Sequence, residues 1–252
     1  MDTQRQFERR VGDARFLLAA DSGIVVEFGS TVDRALSAKV LRLRATLEAK
    51  RPHGVTDLVP TFRSLMVQYD PALADPLRLI DEIAGLLGEA GRAEAPGRLW
   101  ELPACYDENF APDIAEVGER LGMKVADVID RHAAQEYLVY FLGFLPGCAL
   151  MGDLPAGMEL PRRTEPRVRV PAGSVAIAMK LTIIYPLVSP GGWHLIGNCP
   201  VKLFHAASRR PNLLAPGDRV RFRPVSAREY DEVLRREDEA TSFEHIQDYL
   251  KP

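Results

Sequence analysis

Two short apolar runs, Arg15 to Ala19 and Ile24 to Phe28, are separated by Asp21-Ser22-Gly23. Apolar runs split by turn residues predict a β-hairpin, with Gly23 free to take a positive φ. The period then changes. Val32, Leu36, Val40, Leu43 and Leu47 recur at helical spacing behind Ser30 or Thr31 as a cap, and Arg51-Pro52-His53-Gly54 stops the helix. Gly54 to Val59 and Phe62 to Tyr69 read as two more strands around Pro60. Asp75 caps a second helix that has Pro76 in its first turn and Leu77, Ile80, Ile83 (or Ala84) and Leu87 on its buried face. Gly91 closes that helix, and Glu94 to Gly97 reads as a linker. Strands and helices in this order predict a small α+β domain of roughly ferredoxin-like kind over residues 1–95.

Beyond the linker the pattern becomes β-rich, and residues 96–252 read as a second domain. Leu99 to Tyr106 is a strand. Two short helices, Pro112 to Leu121 and Val125 to Gln135, are divided by Gly122, and an aromatic-rich strand runs from Glu136 to Phe144. Leu145 to Met158 reads as a loop. Short strands follow at Arg167 to Val170, Ser174 to Ala178, Thr182 to Tyr185, Trp193 to Gly197 and Asp218 to Phe222. Many short strands with turns between them suit a closed barrel or a sandwich. The tail from Ser226 to Tyr249 is charged and helical, with Ser226 as cap. The fold class is α+β.

Composition narrows the function classes. Hydrophobic residues make up 46% of the 252 and charged residues 27%, which excludes wholesale disorder. Lys and Arg number 32 against 35 Asp and Glu, a net charge of −3, so binding to nucleic acid through excess positive charge is not expected. Cys105, Cys148 and Cys199 are widely spaced and form no C-x-x-C pair, which fits reduced thiols in a cytoplasmic protein. The first ten residues have no signal-peptide core. Leu181 to Val201 lacks charge, but Pro186, Pro190, Gly191, Gly192 and Pro200 would break a bilayer helix, so no membrane span is expected.

Candidate chemistry is dispersed. No Walker A loop, G-x-S-x-G elbow or H-E-x-x-H motif is present, and the five histidines form no local metal pair, so no metal site is expected. Gly143-Phe144-Leu145-Pro146-Gly147 is either a tight connection or a loop whose bare backbone meets an anion. Ser189-Pro190-Gly191-Gly192-Trp193 is either a hairpin with an inward indole or an exposed indole face beside open backbone. Arg162, Arg163, Arg167 and Arg169, and likewise Arg219, Arg221 and Arg223, are either solvated faces or walls that hold carboxylate or phosphate. His132 and Glu136, four apart, offer a general base, or else a histidine satisfied at a helix end.

Several segments read together resemble a known family, the B-subunit proteins of bacterial 5-oxoprolinase. These are also called KipI-like proteins or allophanate hydrolase subunit 1, and they are similar to part of the urea amidolyase carboxyltransferase region. The resemblance rests on Asp21-Ser22-Gly23 with Val26-Glu27-Phe28-Gly29, on Gly54 to Thr61, and on Arg63-Ser64 with Tyr69-Asp70-Pro71. It continues through Tyr137, Tyr140 to Gly147, Pro161-Arg162-Arg163, Pro166-Arg167 and Val170 to Val175. Ile184-Tyr185-Pro186, Ser189 to Trp193, Ile196-Gly197 and Pro216 to Val220 complete it.

The resemblance implies an N-terminal α+β domain and a C-terminal cyclophilin-like β-barrel. It also implies two partners: a C subunit, homologous and itself cyclophilin-like, plus an A subunit. Together they would form an ATP-dependent enzyme, with magnesium accompanying the nucleotide, that opens 5-oxoproline to glutamate. By position in the matching motifs, Thr182, Tyr185, Gly191, Gly192 and Trp193 would meet substrate, Arg163 and Arg167 would hold anions, and His132 would handle protons. Gly143, Phe144, Pro146 and Gly147 would form the adjoining loop. Other branches imply a KipI-like inhibitor of a sensor histidine kinase, or a carboxyltransferase-like protein acting on urea or allophanate-type amides. Where the family carries a glycine-rich run before Ile184-Tyr185-Pro186, this chain has Met179, Lys180, Leu181, Thr182 and Ile183. Cys148 to Asp153 likewise replaces an aromatic-bearing stretch. Side chains at glycine positions are expected to fill space in the cleft.

Overall fold

A computed structural model describes residues 7–88, 97–240, 242–243 and 246–251. The chain divides into two compact units, Met1–Ala95 and Pro96–Pro252.

The first unit contains β1 (Glu8–Val11), β2 (Ala14–Ala19), β3 (Gly23–Glu27), α1 (Arg34–Lys50), β4 (Val55–Pro60), β5 (Ser64–Tyr69) and α2 (Pro76–Leu86). The five strands pair antiparallel in the order β1-β2-β3-β5-β4. Phe16, Ile24, Val26, Leu65 and Val67 point to one face, where they meet Val40, Leu43 and Leu47 of α1 and Ile80 and Ile83 of α2. Removing that alternating face from water is what holds the two layers together.

Several local expectations change here. β1 adds a strand that the apolar pattern does not predict. The positive φ of the β2–β3 turn falls on Ala20, at 51°, not on Gly23. Gly23 is needed for space instead, since a Cβ there would stand 2.9 Å from the Ala19 carbonyl oxygen. Asp33, rather than Ser30 or Thr31, caps α1 by accepting from the N–H groups of Ala35 and Leu36. Val32 lies outside that helix and is exposed, and Leu77 is also exposed. Asp75 caps α2 with Pro76 at its start, as expected. The expected stop at Gly91 lies outside the described residues.

The second unit begins with β6 (Leu99–Ala104), α3 (Ile114–Leu121), α4 (Val125–Ala134), β7 (Glu136–Leu142) and β8 (Ala149–Gly152). It continues with β9 (Arg167–Val170), β10 (Ser174–Ala178), β11 (Leu181–Ile184), β12 (Ser189–Gly191), β13 (His194–Asn198) and β14 (Arg219–Pro224). α5 (Ala227–Glu239), a 3-10 turn at Ile246–Tyr249 and β15 (Leu250–Lys251) end it. β8 interrupts the segment read as a loop, and the helical tail stops at Glu239. Ser226 caps α5 by accepting from the Glu229 N–H.

Eight strands form one mixed sheet in the order β13-β10-β11-β8-β7-β14-β6-β15, with β14 parallel to β6. A separate pair, β12 and β9, runs antiparallel. Cys105, just past β6, exchanges both main-chain hydrogen bonds with Asn198 of β13, at 2.8 and 2.9 Å. The core behind the sheet is rich in aromatics. Trp100, Tyr137 and Phe222 are fully buried, and Phe222 alone contributes roughly 2–3 kcal/mol of apolar burial. The buried Asp218 carboxylate satisfies the Trp100 indole N–H at 2.8 Å and the main-chain N–H groups of Arg98 and Ala215, each at 3.0 Å.

Candidate functional site

The segments flanking β8, β9, β11 and β12 enclose a cleft of about 370 Å³. Its polar residues include Arg162 and Arg163, beside the open backbone of Gly191 and Gly192. Trp193, Tyr185, Ile183, Leu150 and Phe144 supply the apolar walls. Trp193 is only 6% exposed, so the indole packs inward and still lines the cleft, with the Arg162 guanidinium 5.9 Å from its ring centre. A Cβ on Gly191 would overlap the Tyr185 hydroxyl, which explains the bare backbone there. Phe144 is 68% exposed at the rim and has φ 73°, a conformation unfavourable for a bulky side chain.

Behind this wall lies a carboxylate whose sequence position suggests only a helix-start charge. Asp113, 3% exposed, accepts the Leu195 main-chain N–H at 2.7 Å and is paired with both Arg163 and Arg167. Arg163 also reaches Glu116 at 3.2 Å, and its own main-chain N–H donates to the Gly192 carbonyl at 2.8 Å. Asp113 therefore ties the arginine segment to β13, next to the glycine turn. Arg163 Nε and Arg167 Nη1 are buried without a hydrogen-bond partner.

Arg163, Tyr185, Gly191, Gly192, Trp193 and Phe144 thus converge on one cleft, whereas other expected residues do not. Arg167 stands behind it, held by Asp113. Gly143, Pro146 and Gly147 shape the loop without lining the cleft. The Gly143 N–H donates to Cys148 O at 3.0 Å, and Gly147 has φ 81° and leaves no room for a Cβ against Leu203 and Phe204.

His132 and Thr182 lie in the core and are not among the residues lining the cleft. His132 is 0% exposed, and both of its ring nitrogens are engaged. Thr182 Oγ1 donates to the Ala176 carbonyl at 3.2 Å, so it accepts from His132 Nε2 at 3.0 Å, and Tyr106 then donates to Nδ1 at 2.8 Å. Burial holds the imidazole pKa down to about 3, so the buried ring is neutral at pH 7. Glu136, the expected partner, pairs with Arg219 and Arg221 instead.

Arg162, expected either in a solvated face or in an anion-holding wall, also lines the cleft, as do Cys148, Leu150, Pro166, Ile183 and Pro190. Arg162 is visible in its dipeptide, but nothing local separates a lining arginine from a solvated one. Burial pushes the Cys148 thiol up to about 12, so it is no nucleophile at neutral pH. Burial likewise raises the Tyr185 phenol, against a weaker opposing pull from Arg162 and Arg167. Of the side chains expected to fill the cleft, Ile183 does so. Met179 is exposed in the β10–β11 turn, and Leu181 packs toward Gly152. Among the described residues no carboxylate or imidazole lines the cleft, and none form a cluster fit to hold a metal. Chemically, the cleft can bind a small anion, orient it against an apolar wall and keep water away. It has no acid or base of its own near neutral pH. Among the described residues, no helix is long and apolar enough to cross a membrane.

The family model for the carboxyltransferase domain, subdomain C and D, matches residues 14–214. The chain is 35% identical over 221 residues to the 5-oxoprolinase B subunit of Bacillus subtilis, covering 83% of this chain and 92% of that protein. It is 37% identical over 211 residues to the 5-oxoprolinase B subunit of Escherichia coli O157:H7, covering 84% and 96%. Among solved structures, TTHA0988 superposes with a TM-score of 0.73 at 38% identity, over 81% of this chain. This chain spans only 40% of TTHA0988.

Proposed function

The chain belongs to the B-subunit family of 5-oxoprolinase, and from that premise we propose that it is the B subunit of an ATP-dependent 5-oxoprolinase. In this reading it works with a homologous C subunit plus an A subunit, in the cytoplasm, where the three free, buried thiols would stay reduced. The proposal includes closure of the eight-stranded sheet as a cyclophilin-like barrel, supported by the Cys105–Asn198 bridge between β6 and β13.

The observation that carries the proposal is that two arginines, Arg162 and Arg163, line a hollow of about 370 Å³ together with Trp193 and Ile183. A five-membered lactam bearing one carboxylate matches both parts. Arg162 and Arg163 take the carboxylate, and the ring lies on the apolar wall. The lactam carbonyl is a weak electrophile, and ATP supplies the phosphoryl group that converts its oxygen into a leaving group. This chain's part is to orient the ring, hold the developing anion beside fixed donors and exclude water until the productive step. No carboxylate or imidazole is among the described lining residues, so the cleft itself does not hold magnesium. Because the cleft lacks an acid or base, the proton-handling groups come from a partner across the rim. Exposed Phe144 at the rim, and exposed Leu187 and Val188 between β11 and β12, offer apolar surface to be covered.

Co-expression with A- and C-subunit homologues tests this reading. A stable complex with ATP hydrolysis dependent on 5-oxoproline supports it. A complex with no turnover of 5-oxoproline removes it. The kinase-inhibitor branch would act through an outer surface and leaves the cleft unexplained.

A further inference from the structure

A second hollow in the Pro96–Pro252 unit, of about 640 Å³, shares no lining residue with the cleft. It lies at a turn that follows β13. The Phe204–Asn212 bridge, the His205 N–H to Pro211 O bond at 2.8 Å and the Ser208 N–H to His205 O bond at 3.1 Å close that turn. The closure leaves Arg209 and Arg210 adjacent at its tip, both exposed and with no ion pair among the described residues. Arg98 forms another part of the wall. It is oriented by Asp218 at 3.2 Å and lies 4.8 Å from the Trp100 ring centre. Among the described residues no Asp or Glu lines this hollow, so Arg209 and Arg210 face it without a described lining counter-charge, and Arg98, paired with Asp218, adds to its wall.

Two further groups point to a ligand. Ser208 Oγ and Asn212 Oδ1 are buried there without any hydrogen-bond partner. A buried hydroxyl and a buried amide oxygen left unpaired are costly, and a bound molecule that pairs with both removes the cost. The Phe243 ring forms part of the same wall and packs edge-on against His205 at 4.6 Å.

We infer that this hollow binds a polyphosphate anion. Arg209 and Arg210 grip its phosphoryl oxygens, Arg98 adds charge, and Ser208 donates its hydroxyl proton to it. Guanidinium forks match phosphate geometry, and adjacent arginines with no competing carboxylate among the described lining residues favour more than one phosphate group. Asn212 Oδ1 needs a donor, which bare polyphosphate lacks and a nucleoside carries, and Phe243 offers a ring to stack on. Both therefore favour a nucleoside polyphosphate over an inorganic one. The inference uses none of the cleft residues and stands or falls apart from the reading given to them.

Calorimetric titration of the full chain with sodium tripolyphosphate and, separately, with ATP tests it. Both are expected to bind, and Arg209→Ser/Arg210→Ser is expected to weaken each by about a hundredfold, near tenfold per arginine. The charge-matched Arg131→Ser/Arg228→Ser is expected to bind as the natural chain does. ATP binding more tightly than tripolyphosphate, with the margin lost in Asn212→Ala, identifies a nucleoside polyphosphate. Equal affinity identifies the inorganic anion. No binding of either probe, or equal weakening in the charge-matched variant, overturns the site. The ligand-induced rise in Tm of the natural chain provides a readout that needs no variant. It should be present at low salt and shrink as salt is added, and its absence at low salt also overturns the site.

Discussion

The main-chain N–H of Arg163 donates to the Gly192 carbonyl at 2.8 Å, which ties the arginine segment of the cleft to its glycine turn. The two walls therefore move together, and small changes on either side should be felt on the other. The adjacent glycines should respond very differently. A Cβ on Gly191 would overlap the Tyr185 hydroxyl, whereas one on Gly192 finds its nearest neighbour, Pro166, at 3.6 Å. Gly191→Ala is expected to cost about 1–3 kcal/mol of stability and to deform the cleft, while Gly192→Ala costs less than about 1 kcal/mol. Denaturant melts of the two variants measure the contrast.

Asp113 is the anchor behind that wall. Asp113→Ala removes the acceptor for the Leu195 N–H and leaves Arg163 and Arg167 without their shared counter-charge. Stripping one partner from a largely buried pair typically costs about 3–5 kcal/mol, and the quarter exposure of each arginine side chain brings the expectation to about 2–3 kcal/mol. Double-mutant cycles of Asp113→Ala with Arg167→Ala should show coupling above about 1 kcal/mol. Additive losses would place the anchor elsewhere.

The buried His132 makes stability depend on pH. Its folded pKa of about 3 lies below the ordinary value of 6.5, so the unfolded chain binds a proton that the folded chain refuses. Above about pH 6.5 the contribution is constant. Below it, stability falls by about 1.4 kcal/mol per pH unit until the folded pKa is reached. His132→Gln should flatten the profile between about pH 6.5 and 5, a window above most carboxylate titration. Urea melts across that window give the slope, and an unchanged slope in the variant would mean that His132 is already protonated in the fold.

Phe144 carries a cost of a different kind. Its φ of 73° suits glycine, and its ring stands exposed at the rim. Phe144→Gly is expected to leave stability unchanged or raise it by up to about 1 kcal/mol, because relief of strain offsets the lost packing. The same variant should weaken assembly with a partner that covers the rim. Melting temperature and co-purification yield, measured together, separate the two effects.

How much of the fold and the cleft is legible in the chain depends on the range of each interaction. Asp75-Pro76 and Ser226 announce their helices because a cap acts within three residues. Arg163, Tyr185 and Gly191 to Trp193 are legible as motif residues, and the fold brings them together. His132 is not legible as a core residue, since its partners Tyr106 and Thr182 lie 26 and 50 positions away and nothing local points to either. β8 escapes the pattern because Ala149 to Gly152 is short, sits amid turn residues and is a strand only through its pairing with β7 and β11. Asp113 looks like an ordinary charge at a helix start, and only the return of β9 and β13 to the same place buries it.

The central claim is that Arg162 and Arg163 hold the substrate's carboxylate in the cleft beside Trp193. The most direct measurement is kcat/KM for 5-oxoproline in the assembled complex, comparing the natural chain with Arg162→Gln/Arg163→Gln. Loss of two charge-assisted contacts is expected to lower it by about a hundredfold or more, with the complex still intact on gel filtration. An intact complex that turns over 5-oxoproline as fast as before would contradict the claim and move the substrate elsewhere.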